Sequence, residues 1–81
     1  MSKPEKTKQT ILDGASYGNI RFDEFCKLLE HLGFRCRIRG SHHIFTRPGV
    51  VEILNLQPQT GGKAKTYQVR QVQKVITHYK L

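Results

Sequence analysis

Histidine is the side chain whose charge changes near neutral pH, and this chain sets two of them side by side, His42 and His43, directly after a Gly40-Ser41 pair. Such a ring takes a proton from a hydroxyl or returns one to a leaving oxygen. Arg35, Arg37 and Arg39 precede the pair, Arg47 follows it, and Lys63 and Lys65 come later. Cationic groups at this density bind phosphates and stabilise charge developing on them. A Gly-Ser turn adds backbone N–H groups and a hydroxyl for the same anion. The residue types suit proton transfer at a phosphate ester. On residue type alone, a histidine in a small domain is ordinarily a polar surface or capping group. His31, on the polar face of a helix, and His78, in a last helical turn, take that reading, and so on residue type alone do His42 and His43. Adjacent histidines on a strand diverge, and no carboxylate or second ligand pair stands at usable spacing, so neither a metal site nor a cofactor is expected.

The charge balance agrees with an anionic partner. Fourteen Lys and Arg stand against six Asp and Glu, a net charge of +8 over 81 residues. No acid lies between Glu30 and Glu52, and none follows Glu52. Charge so one-sided favours RNA, DNA or an acidic protein as partner. The two cysteines, Cys26 and Cys36, form neither a disulfide framework nor a zinc signature and read as buried thiols. The N-terminus lacks the apolar stretch of a signal peptide, and no apolar run approaches the roughly 20 residues of a membrane span. The expectation is a cytoplasmic protein with no membrane contact.

The elements that must position these groups follow from periodicity. Residues 1–9 are polar and charged and read as a mobile arm. Thr10 to Gly14 closes a short helical turn, and 15–19 is a loop. Phe22, Phe25, Leu29 and Leu32 recur at helical spacing, with Asp23 and Glu24 in the first turn and Gly33 as a left-handed stop. From Phe34 to Arg39 the pattern alternates, arginines on one face and Phe34, Cys36 and Ile38 on the other. Gly40-Ser41 turns the chain into a second strand, His42 to Arg47. Pro48-Gly49 turns it again into a third, Val50 to Leu56. Residues 57–65 form a flexible loop around Gly61-Gly62, and a last helix from about Tyr67 to Tyr79 carries Val69, Val72, Ile76 and Tyr79 on one face. The second strand has a parity ambiguity, because Ile44 and Phe45 are apolar neighbours. The reading adopted places Ile44 inward. His43 and Phe45 then share the wet, basic face with the arginines, and Phe45 is free to stack on a base. The opposite choice, with Phe45 buried, turns His43 inward and counts against a catalytic role for it.

Leu32-Gly33-Phe34, Gly40-Ser41-His42-His43 and Leu56-Gln57-Pro58, followed by a C-terminal helix, resemble the HicA toxin family over roughly residues 20–81. The resemblance implies an α+β fold similar to the double-stranded-RNA-binding domain: helix, three-stranded antiparallel sheet, helix. Here it carries an N-terminal extension, an arm over 1–19 ahead of the domain at 20–81. It implies a type II toxin, an endoribonuclease that cleaves mRNA and is neutralised by a HicB-type antitoxin. The family's catalytic histidine falls on His43, the fourth position of its Gly-Ser-x-His pattern. The candidate RNA contacts are Arg35, Arg37, Arg39, Gly40, Ser41, Phe45, Arg47, Lys63 and Lys65. Ser41, Arg39 and Lys63 are the open choices for a second catalytic group. Two other classes compete: a module of the same fold that grips RNA without cutting it, and an adaptor for an acidic protein. The segment after Pro58 is longer than the compact one usual in the family.

Because no ligand spacing for a metal is present, RNA cleavage is expected to persist in excess chelator. Loss of cleavage that a divalent ion restores would overturn a metal-free mechanism.

Overall fold

The computed structural model describes residues 3–14 and 17–81; Met1 and Ser2 of the expected arm, and Ala15 and Ser16 of the expected loop, lie outside the described residues. Three helices, α1 (Lys3–Asp13), α2 (Phe22–His31) and α3 (Thr66–Tyr79), accompany three strands, β1 (Arg35–Arg39), β2 (His42–Arg47) and β3 (Val50–Leu56). The strands form an antiparallel sheet in the order β1-β2-β3. The architecture is the α+β helix–meander–helix expected, with one helix more at the front.

The helices form because their apolar residues recur on one side. α2 buries Phe22, Phe25, Leu28 and Leu29, and α3 buries Val69, Val72, Val75 and Ile76. These side chains meet Phe34, Phe45, Leu54 and Leu56 in one core against a single face of the sheet. Gly33, at φ +94°, ends α2 in the left-handed conformation that glycine tolerates, and Phe34 N–H donates back to Leu29 O at 3.0 Å. At the far edge of the sheet, the Tyr79 hydroxyl donates to Glu52 at 2.6 Å and accepts from Val51 N–H. The bond from Tyr79 holds the Glu52 carboxyl below its ordinary range.

Two segments depart from the sequence reading. Residues 3–13, read as an arm and a short turn, form a full helix packed on α2 and α3. Ile11 is completely buried, Gln73 donates to the Ile11 carbonyl at 3.1 Å, and Lys3 pairs with Glu24 at 3.5 Å. The helix is polar enough to hide from periodicity analysis. Its buried Thr7 satisfies its hydroxyl on the Lys3 carbonyl, one turn back, at 3.1 Å. Residues 57–65, read as a flexible loop, are instead fastened to the start of α2. Phe22 N–H donates to Gly62 O at 2.9 Å, Ala64 N–H to Ile20 O at 2.8 Å, and Gln59 N–H to Lys63 O at 3.0 Å. The first N–H groups of a helix lack partners within it, and here the loop supplies one.

Replacing Ile11 by alanine is expected to cost about 2–5 kcal/mol, the range for a deleted buried aliphatic side chain. Urea denaturation checks it. A cost near zero would return α1 to the status of an arm.

Candidate active site at the end of the sheet

β1 and β2 are joined by a two-residue turn, with Arg39 opposite His42 and Ile38 opposite His43. Gly40 occupies its first position at φ +58°, a conformation that suits glycine in such hairpin connections. From the turn, alternation along β2 decides which residues face the helices. His43 lies opposite Leu56, Phe45 opposite Leu54, and both of those leucines are in the core.

Phe45 is itself fully buried, at 0% exposure. This overturns the choice of Ile44 as the inward residue: Ile44 and His42 face outward with the arginines, and Phe45 is closed to any base. The physical reason is area. A phenyl ring removes more apolar surface from water than an isoleucine side chain, so the strand adopts the parity that buries Phe45. His43 follows it to the inner face.

His43 is nevertheless only half-buried. The opening is on one side: Ile38, its neighbour on β1, is 64% exposed, while Leu56, its neighbour on β3, is fully buried. The His43 ring packs edge-on against Phe22, with centroids 4.9 Å apart and planes at 77°. Its Nδ1 is sealed from solvent and has no hydrogen-bond partner among the described residues. Any proton exchange with a substrate therefore runs through Nε2. Phe22 is the first residue of α2, the one fastened to Gly62, so the loop carrying Lys63 lies against the same corner; Arg21 and Lys63 form a β-bridge there. Lys63 is exposed, and Lys65 stands just ahead of α3.

A chain of amides, unforeseen in the sequence, steadies the turn. Gln57 Nε2 donates to Ser41 Oγ at 2.7 Å, and Gln57 N–H donates to Gln68 Oε1 at 3.2 Å. Gln68 Nε2 reaches the Asn55 carbonyl at 3.4 Å, and Gln68 is 3% exposed. Because Ser41 Oγ accepts from Gln57, its own proton stays available for another acceptor. One signal pointed to Gln68: it stands four residues before Val72, on the buried stripe of α3.

The remaining candidates are scattered. Arg35, Arg37 and Arg39 lie exposed on the outer face, opposite Thr46, Ile44 and His42. His42 Nδ1 shares a hydrogen bond with Asn55 Oδ1 at 2.9 Å on that face. Arg47 is at the other end of β2, about 13 Å from His43 at the rise of a strand. There its Nε donates to Leu32 O at 2.8 Å, and another guanidinium N–H donates to Pro48 O at 3.3 Å. It caps the end of α2 and lies packed against Gly33, where a Cβ would come within 3.2 Å of its Nε. Arg47 thus has a structural partner and stands apart from the corner that holds His43. Both cysteines are free thiols; burial, reinforced by nearby Cys36, pushes the Cys26 thiol up to about 12. Among the described residues no group of three or more His, Cys, Asp or Glu converges, and no helix is long and apolar enough to cross a membrane.

A basic α+β domain with one half-buried histidine at the tip of a three-stranded meander defines the class of protein. The family described as HicA toxin of bacterial toxin-antitoxin matches residues 22–77, from the first residue of α2 to near the end of α3. The chain belongs to the HicA toxin family, with α1 lying outside the matched span. No curated relative and no solved structure matches it.

Arg47→Ala is expected to cost about 1.5–3 kcal/mol of stability, the range for a hydrogen bond to a charged group. Chemical denaturation measures it. An unchanged midpoint would show that the cap on Leu32 contributes nothing.

Proposed function

We propose that this toxin is a metal-independent endoribonuclease that cleaves mRNA in the cytoplasm and is held inactive by a HicB-type antitoxin protein. The working unit is residues 20–81, preceded by an N-terminal extension whose helix α1 braces α2. The observation that carries the reading is the position of His43: half-buried beside the Gly40-Ser41 turn, with Ile38 open next to it and Nδ1 closed to solvent, although its inward side counts against the reading.

In this mechanism Nε2 of His43 accepts the proton of a ribose 2′-OH. The 2′-oxygen forms a bond to the adjacent phosphorus while the bond from phosphorus to the 5′-oxygen breaks. The departing oxygen takes a proton, leaving a cyclic phosphate and a 5′-hydroxyl. Negative charge that builds on the phosphoryl oxygens is met by Lys63 and by the turn at Gly40 and Ser41, with Lys65 holding a neighbouring phosphate. Of the open choices for a second group, Ser41 is favoured, since its hydroxyl proton is unused by Gln57. Arg39 is disfavoured because it lies on the outer face.

One observation favours the alternative of a module that binds RNA without cutting it. Catalytic histidines are generally oriented through the second ring nitrogen, and Nδ1 here has no partner among the described residues.

His43→Ala separates the two. Losing the base should lower the cleavage rate about 10²–10⁴-fold. Loss of the contact with Phe22 should cost about 0.5–3 kcal/mol, within reach of a folded protein. Cleavage of labelled RNA, circular dichroism and growth arrest without antitoxin are the readouts. Undiminished cleavage by a folded variant would sink the assignment of His43. Tight RNA binding with no cleavage by the unaltered protein would establish the binding module.

A further inference from the structure

The outer face of the sheet is covered by no helix, and its composition is unusual. Arg35, Arg37 and Arg39 project from it at alternate positions of β1, about 6.6 Å apart along the strand. None of the three makes a hydrogen bond or an ion pair among the described residues. The residues opposite them, Thr46, Ile44 and His42, carry no negative charge, and Ile53 stands 64% exposed on the neighbouring strand. The acids are elsewhere. Glu5 and Asp13 lie on α1, and Asp23, Glu24 and Glu30 on α2. Glu52 is engaged by the Tyr79 hydroxyl. Three like charges on one strand repel one another, and none of them is in an ion pair among the described residues.

The arrangement suits a regular polyanion. A repeat at every second residue is comparable with the step between phosphates on an extended single strand. Arginine also offers bases a flat cation to stack on. The position of the ladder matters as much as its charge. Arg39 runs directly into Gly40-Ser41, and His43 lies just beyond the turn on the opposite face. At that end the inner side of β1 is open at Ile38.

We propose that Arg35, Arg37 and Arg39 form a track for single-stranded RNA on the face opposite His43, so that the strand passes over the Gly40-Ser41 turn to reach the catalytic corner. The proposal rests on the ribonuclease reading for what happens at His43, but the track is a binding site in its own right. Arginines on the far face bind the flank of the substrate and take no part in bond breaking.

The test uses the full chain and single-stranded 2′-O-methyl RNA, which has no free 2′-hydroxyl to attack. Affinity is measured against salt for roughly 4-nucleotide and roughly 16-nucleotide strands, lengths bracketing single-domain sites. The protein carrying Arg35→Gln, Arg37→Gln and Arg39→Gln together is compared with the unaltered chain. Three lost phosphate contacts should make the slope of log affinity against log salt shallower by about 2 for the long strand. The short strand should be unaffected. With cleavable RNA, KM should rise while kcat stays unchanged. An unchanged slope for the long strand overturns the track, as does an equal loss for both lengths. RNA binding left intact while antitoxin binding is lost would assign the ladder to a protein partner and also overturn it. If the unaltered chain binds neither strand, the ribonuclease reading falls first and the track with it. Should the triple variant not fold, each single Arg→Gln protein should lose about one third of the slope change, and no loss in any of them overturns the proposal.

Discussion

Alternation along β2 ties His43 to Phe45. Successive side chains of a strand point to opposite faces, so a residue two positions from a core phenylalanine has no freedom to choose its side. Phe45 fills the centre of the core between the sheet and the helices. His43 is therefore drawn beneath the same layer, and the opening on the side of Ile38 keeps it accessible. Everything else at the corner depends on this: the edge-on contact with Phe22, the closure of Nδ1, and the exile of the arginines to the other face.

The corner is fixed from three directions. Phe22 reaches it at the start of α2, which the 57–65 loop holds by Gly62 O. The turn is held through Gln57, which is held in turn by Gln68 in the first turn of α3. A buried amide such as Gln68 is tolerable only when its polar atoms are matched, and its bonds to Gln57 N–H and the Asn55 carbonyl match both ends. The amide network thus couples α3 to the turn between β1 and β2.

The sequence made α2, α3 and the three strands legible because each is long enough for its period to show. Phe22, Phe25 and Leu29, or Val69, Val72 and Ile76, leave little choice of face. β2 was different. Ile44-Phe45 satisfies either parity, and only the three-dimensional core prefers the larger ring. α1 escaped because a helix with Ile11 as its one fully buried hydrophobe has no stripe to detect. Arg47 looked like the other arginines by type and is separated from them only by its bond to Leu32 O. The 57–65 segment looked loose because its attachments are backbone hydrogen bonds, to which composition is blind. The motif Gly40-Ser41-x-His43 marks the β1–β2 turn, while the parity chosen for β2 put His43 on the face of the arginines, from which the burial of Phe45 removes it.

The walls of the corner are drawn from distant parts of the chain: Phe22 on one side, Gly62 and Gln68 on the other. Gln73, which holds the Ile11 carbonyl, comes later still in the 81 residues. A nascent chain released only as far as Leu56 carries His43 on a meander while the start of α2 is not yet held by Gly62 and Ser41 is not yet steadied by Gln57 and Gln68. The corner is completed late in synthesis, once α3 has emerged and docked. An interval in which the polypeptide exists but its corner does not is thereby built into the order of its elements.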